Sequence, residues 1–504
     1  MTTLLRIGVL LSIACVSPCV IADEKSSQEL RKLIDSVEPS VVAIVVSHNQ
    51  YPDLTPQERS TPGFLGDYHV QSQRQDPVVP AGRDKLDLSH ALSAAENTFG
   101  SGIVLDESGR VLTNYHLIQD AHKIFLRYSD GRGSYANIRA ADARSDLAVL
   151  TPIGDFKDSK PIRDTKRVRF ATVKTWDDLR SGGKANVFRG QSVVSLAHPL
   201  AAGFSDGKAS ASTGIISNVR RRATTSREEA RTGPLYNYGN LLQTDARLAV
   251  GVSGGGLFNL DGELIGLLSA TASLTGSETG GGYALPMDPI YRRIIDTLHE
   301  GREVEYGFLG VSPTEPMAPE GLRLNTVNPN TPAFSVNLKA GDIIQAIDGR
   351  RVLERDDLFL LVGGSLAGTK VKLTVQRVDQ VFTVEPTLAK FATTQPSIVT
   401  VRPESVHGLR VDYSSLIAQQ PVFFGDQMRI ASGVLIRDLE PKSAAESKLK
   451  SINESKRLMI THVNSNPVTT PAEFYAEARK HATVKLTLAV ATDPNVPSRM
   501  VTLP

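Results

Sequence analysis

Cysteine is nearly absent. Among 504 residues there are two, Cys15 and Cys19, and both lie before Ala22. Residues 1–22 read as a secretory signal: Arg6, an apolar run at 7–16, then Val20-Ile21-Ala22 as a small-residue cleavage site. Removing that segment leaves no cysteine, which excludes disulfides and thiolate metal sites, and no metal or cofactor is expected. Ser12-Ile13-Ala14-Cys15 has the outline of a lipoprotein cleavage box that would anchor Cys15 to lipid. Ser12 stands where a larger aliphatic residue is usual, however, and cleavage near Ala22 is the expectation. Long apolar runs are missing too: residues 7–16 are too few to span a bilayer, and no later segment is long enough. Charge of one sign is also lacking. A formal net charge of +2 without a long basic run gives nucleic acid no footing.

What is present reads mostly as short strands. Residues 27–37 form an amphipathic helix, with Leu30, Leu33, Ile34 and Val37 at i, i+3, i+4 and i+7. Residues 40–46 (SVVAIVV) are a β-branched run that predicts a buried strand. Residues 47–98 break into Pro, Gln, Asp, Ser and Arg and are expected to be a mobile insertion. Beyond them, strands are expected at 102–105, 111–113, 124–128, 136–141, 147–150, 191–196 and 211–217, with a charged loop at 220–233. A hairpin at 257–269 turns at Asp261-Gly262, and a helix is expected at 289–299. Strands punctuated by turns, with no βαβ rhythm, argue for an all-β barrel or sandwich. From about residue 304 the pattern changes to two tandem modules of mixed strands and helices, the second at 398–491 repeating part of the first.

The chemistry gathers around Ser253, which lies among Gly251, Gly254, Gly255 and Gly256. A serine hydroxyl is a weak nucleophile and needs a base beside it and donors for the oxyanion it creates. Glycines let the backbone turn tightly enough for the Gly251 and Ser253 N–H groups to share one small hole. His116, Asp146 and Ser253 supply the three side chains of such a site: a base, a carboxylate to orient it, and a nucleophile. Each alone also reads blandly, as a surface histidine, a turn aspartate and a loop serine.

The segments Thr113-Asn114-Tyr115-His116, 142–150 (DARSDLAVL) and 243–266 resemble the three catalytic segments of the HtrA/Deg family. Residues 339–352 (KAGDIIQAIDGRRV) are similar to a PDZ domain, and the likeness reaches nearly the whole chain past the signal. The resemblance implies a mainly β protein, in which a chymotrypsin-like double β-barrel protease domain is followed by two PDZ-like α+β domains. The expected boundaries are 1–22 for the signal peptide, 23–302 for the protease, 303–392 for the first PDZ domain and 393–504 for a degenerate second one. It also implies that His116 is the general base, Asp146 its orienting partner, Ser253 the nucleophile, and Gly251 and Ser253 the oxyanion hole.

Departures from the family pattern sharpen these expectations. Val252 replaces the usual Asn or Asp before the serine, so other contacts must hold that loop. Six residues before Ser253, where proteases that cut after basic residues carry Asp, stands Arg247, so cleavage after Lys or Arg is not expected. Leu248 with Leu267-Leu268 suggests a specificity pocket for aliphatic side chains, the alternative being that Arg247 favours an acidic side chain or points away. Phe308-Leu309-Gly310-Val311 matches the PDZ loop that receives a peptide's terminal carboxylate. In the second module Ser455-Lys456-Arg457 stands where Gly-Asp is expected, and its loop at 408–411 is a poor match. The resemblance therefore implies an exported serine endopeptidase of the periplasm or cell envelope. It would cut unfolded or damaged polypeptides, be regulated by peptide C-termini, and assemble as a homo-oligomer, a trimer or a multiple of one. The alternative is a peptide-binding chaperone or scaffold whose barrel has lost catalysis.

Overall fold

In the computed structural model, the residues described are 18–48, 69–70, 97–153, 169–170, 187–199, 207–222, 234–249, 251–269, 282–314, 321–393, 395, 397–419, 432–490 and 498–504. Residues 1–17 of the expected signal and all but a few residues of the expected 47–98 insertion lie outside them. The first helix, Pro18–Val37, starts upstream of the expected residue 27 and runs across the expected cleavage point.

Six strands of the first half close into a barrel: Val41–His48, Asn97–Val104, Val111–Asn114, Ala121–Arg127, Gly133–Asp142 and Leu147–Pro152. Alternation explains why Val41–His48 is apolar on both faces. Val42, Ile44 and Val46 point into the barrel with Leu126 and Leu150, while Ala43 and Val45 pack outward against Phe125, Phe99 and Tyr135. A second barrel closes from Ser192–Ala197, Ser210–Arg221, Leu241–Thr244, Gly256–Phe258, Glu263–Ser269 and Gly282–Pro286. The Ser210–Arg221 strand runs into the segment expected to be a charged loop. Arg221 pairs with Leu241 in the ladder, and Arg220 Nη2 meets Asp357 Oδ1 at 2.9 Å, a partner 137 residues away that local composition cannot reveal. The helix Pro289–His299 follows as expected. Pro289 opens it, the Asp288 side chain caps the Ile290 and Tyr291 N–H groups, and Ile290, Tyr291, Ile294, Ile295 and Leu298 form its buried face.

The first α+β module orders its sheet Val311–Pro313, Leu322–Val327, Ile343–Ile347, Leu373–Arg377, Gln380–Val384, with the helix Arg355–Gly363 packed against it. The second repeats the order as Leu409–Tyr413, Val434–Leu439, Leu458–Val463, Val484–Val490, Arg499–Leu503 around its own apolar core. Ser455 and Lys456 end a helix, Ala444–Lys456, and Arg457 turns the chain at φ 49°. Between the modules, Ile398–Val399 adds to the first barrel, pairing with Ala141 and Ala140.

Candidate active site

The three side chains singled out in the sequence meet where the two barrels face each other. Val111–Asn114 ends at Asn114, and one helical turn, Tyr115–Ile118, swings His116 out of the sheet. Asp146 sits at the start of Leu147–Pro152 with φ 58°, a left-handed conformation uncommon for a non-glycine residue. Its backbone carbonyl accepts from the Tyr115 N–H at 3.0 Å, and its carboxylate accepts from the His116 N–H at 2.9 Å. The His116 Nδ1 lies 2.8 Å from Asp146 Oδ2. A carboxylate at this site can only accept, so Nδ1 carries the ring proton and Nε2 keeps its lone pair. That Nε2 stands 3.2 Å from Ser253 Oγ, across the barrel interface. Ser253 is 5% exposed and Asp146 3%, while His116 is partly open to solvent. The arrangement can take a proton from a serine hydroxyl and hold the resulting imidazolium beside a carboxylate.

The serine turn is bolted to both barrels. The Ser101 N–H donates to Ser253 O (2.8 Å), the Gly254 N–H to Leu268 O (2.9 Å) and the Gly255 N–H to Val252 O (2.9 Å). Thr113 Oγ1 donates to Ser101 O at 2.8 Å, and the His198 N–H donates to Ser101 Oγ at 2.8 Å. Gly254 has φ 82°, and a Cβ there would overlap Ser101 O and Thr113 Oγ1. Gly251 has φ 91°, and no acceptor among the described residues takes its N–H. Val252 is 3% exposed within the apolar core, so burial supplies the hold that a polar residue there would draw from hydrogen bonds.

Of the two residues singled out for specificity, Arg247 is exposed and donates its backbone N–H to Ser212 Oγ at 3.0 Å. Leu248 is half-buried and closes on Gly282, where any Cβ would collide with its side chain. In the first module Leu309 is buried, Gly310 has φ 87°, and a Cβ at Gly310 would overlap Thr331. The Gly310 and Leu309 carbonyls accept from the Asn328 and Ala333 N–H groups, each at 2.9 Å. Among the described residues Val311–Pro313 has a hydrogen-bonded neighbour, Leu322–Val327, on one side only, which makes it a sheet edge. The matching edge of the second module differs. There the Val411 N–H donates to the Tyr475 hydroxyl at 3.2 Å, so a side chain of the module's helix Pro471–Ala478 occupies the edge.

Sequence reasoning did not find the residues that support the site. Ser101 and Thr113 fix the serine turn, and Asp142 caps the turn that carries Asp146 by accepting from the Ser145 N–H (2.7 Å) and Oγ (2.6 Å). Full burial pushes the Asp142 carboxyl upward, while the bonds from Ser145 and Tyr306 oppose the rise. The signal available for it was its place at the head of the 142–150 segment that carries the family resemblance.

A trypsin-like peptidase domain model matches residues 100–267, and a PDZ domain model matches residues 307–388. A probable periplasmic serine endoprotease DegP-like from Pseudomonas fulva is 26% identical over 468 residues, covering 88% of this chain and 86% of the relative. The periplasmic serine endoprotease DegP of Salmonella typhimurium is 27% identical over 386 residues, 74% of each chain. The periplasmic pH-dependent serine endoprotease DegQ of Escherichia coli is 28% identical over 398 residues, 77% of this chain and 76% of the relative.

Proposed function

Because the chain belongs to the HtrA/Deg family and is a serine-type endopeptidase, we propose that it hydrolyses unfolded or damaged exported polypeptides through His116, Asp146 and Ser253. The observation that carries this reading is the unbroken relay from Ser253 Oγ to His116 Nε2 (3.2 Å) and from Nδ1 to Asp146 (2.8 Å). Ser253 Oγ attacks the peptide carbonyl as His116 Nε2 takes its proton, and the oxyanion forms toward the Gly251 and Ser253 N–H groups. The imidazolium, held by Asp146, returns the proton to the leaving amine. Water then enters, is deprotonated by His116 and cleaves the acyl-enzyme.

The periplasmic relatives support export, with residues 1–22 as signal and 23–302, 303–392 and 393–504 as protease, first PDZ and second PDZ-like units. The half-buried Leu248 beside Gly282 favours an aliphatic side chain before the cut. The open edge Val311–Pro313, next to Phe308, Leu309 and Gly310, supports capture of peptide C-termini as an added strand. The occupied edge of the second module favours an assembly role in a homo-oligomer. Degradation of an unfolded protein by residues 23–504, beside Ser253→Ala, tests the reading, with fluorophosphonate labelling of Ser253 as the second readout. Cutting by the first and not the second supports the relay; a chain that neither cuts nor labels, even with apolar C-terminal peptides, belongs to the chaperone alternative.

A further inference from the structure

Asn114 ends the strand Val111–Asn114, two residues before His116, and is fully buried. Its backbone pairs opposite Leu147, which brings its side chain to the preceding residue, Asp146. Nδ2 lies 3.2 Å from the Asp146 backbone carbonyl oxygen and 3.4 Å from Asp146 Oδ2. Both neighbours are acceptors, so the amide nitrogen must face them and Oδ1 must point away. That oxygen is buried and has no hydrogen-bond partner among the described residues. A buried acceptor left unpaired is costly, and an apolar side chain of the same size would avoid the cost. The amide is kept all the same, and the group it serves is Asp146.

Asp146 needs such support for two reasons. Its φ of 58° is strained for a residue with a side chain, and its carboxylate is nearly closed off from water. The carbonyl of this strained residue accepts twice, from the Tyr115 N–H at 3.0 Å and from Asn114 Nδ2. Oδ1 takes the His116 backbone N–H at 2.9 Å, and Oδ2 takes the ring Nδ1–H at 2.8 Å. Among the described residues, the donors to Asp146 therefore all come from the three consecutive residues 114–116. Only the Asn114 amide reaches both the backbone and the carboxylate without belonging to the histidine.

We propose that Asn114 is a positioning residue whose amide locks the backbone and the carboxylate of Asp146 as one unit, and so keeps Oδ2 on the His116 ring. The inference rests on the triad reading above. Without the amide the carboxylate can turn about its Cα–Cβ bond. The imidazolium formed as Ser253 attacks then loses part of its partner. Tyr115, Tyr236 and Tyr291 are the other titratable side chains that feel the Asp146 charge, and burial holds their phenols above the ordinary value. The acid limb of the rate profile therefore reports the His116–Asp146 pair.

The test uses residues 23–504 carrying Asn114→Leu, Asp146→Asn or both together. Cleavage of an unfolded fluorogenic protein and fluorophosphonate labelling are followed from about pH 5 to 9. Asn114→Leu is expected to lower kcat about tenfold with KM within about twofold, and to label completely but about tenfold more slowly. Its acid limb should move to lower pH, because an imidazolium with a looser carboxylate gives up its proton more readily. Beside Asp146→Asn the same substitution should slow labelling by about twofold or less, since the carboxylate it positions is gone. Asn114→Ala is read in the same way if Asn114→Leu does not fold. Parent kinetics in both Asn114→Leu and Asn114→Ala overturn the proposal and leave the triad standing. So does a tenfold loss that persists beside Asp146→Asn with the acid limb unmoved. A parent chain that neither cuts nor labels removes the triad reading and this inference with it.

Discussion

Asp146 holds His116 at two points: Oδ2 accepts the ring Nδ1–H at 2.8 Å, and Oδ1 accepts the backbone N–H of the same histidine at 2.9 Å. The backbone N–H can only donate, so in Asp146→Asn the amide oxygen must turn toward it and the amide NH2 toward Nδ1. The ring proton then moves to Nε2, and Ser253 loses its base. On the proposed mechanism kcat falls by about a thousand- to ten-thousandfold with little change in folding. Single-turnover acylation of Ser253 checks this; a loss below tenfold would mean that Asp146 does not set the tautomer.

Gly254 and Gly131 share a left-handed backbone, with φ 82° and 83°, but not their surroundings. A Cβ at Gly254 would overlap Ser101 O and Thr113 Oγ1, whereas nothing lies within 4 Å of one at Gly131. Gly131→Ala should therefore cost only the conformational strain of about 1 kcal/mol. Gly254→Ala must also push the Ser253 turn off the first barrel, and we expect labelling to drop more than a hundredfold. Thermal melts and labelling of the two variants side by side check the contrast. Equal effects would show that backbone strain, and not the contact with Ser101, governs the turn.

The three side chains of the site were legible because each sits in a local pattern: Asn-Tyr-His after a strand, Asp before one, Ser among glycines. The strands of the first barrel and four of the second were legible for the same reason, since apolar runs alternate with turns; Leu241–Thr244 and Gly282–Pro286 were not among those expected. What holds the site was not legible, because it is made of long-range pairs. Ser101 and Ser253 are far apart in the chain, and nothing local in either announces the bond between them. Composition misled at Arg220, where a charged stretch turned out to be a strand end paired with Asp357. It was silent at Ile398–Val399, because two residues carry no period. The helix Ala444–Lys456 escaped because its sequence, AAESKLKSINESK, carries few large apolar residues, too few for a stripe.

Lys390 joins three parts of the chain. Its Nζ lies 3.0 Å from Glu303, 3.1 Å from Glu305 and 2.9 Å from Asp412, and Arg437 meets Glu303 at 2.8 Å and Asp412 at 2.6 Å. Burial alone would lower the lysine pKa, but the three carboxylates outweigh it and hold the ammonium well above its ordinary value. Lys390→Met leaves three carboxylates facing one guanidinium in a buried site, which costs on the order of 3–5 kcal/mol. The second module should then come loose from the connector. Limited proteolysis between residues 393 and 405 and a split unfolding transition are the expected signs. An unchanged single transition would mean that apolar contacts, not these charges, join the modules.

Asp288 caps the helix that ends the barrel region, accepting from the Ile290 and Tyr291 N–H groups at 2.9 Å each. Burial nonetheless pushes its carboxyl from an ordinary 3.8 up to about 6, against the pull of those bonds and of Arg350 and Arg293. The folded chain thus binds this proton more tightly than the unfolded chain does. The resulting stability is fully present below about pH 4 and is lost as pH rises past about 6. Asp288→Asn keeps a capping oxygen and cannot ionise. At pH 7 it should be more stable than the parent by about 1–3 kcal/mol, and near pH 4 the two should converge. Asp288→Ala, which loses the cap, should be weaker than Asp288→Asn at every pH, by about 1 kcal/mol. Urea midpoints of the transition that includes the barrels, taken from pH 4 to 7, separate these cases. Parallel curves for parent and Asp288→Asn would show that the carboxyl titrates alike in both states, and that its cap alone contributes to the fold.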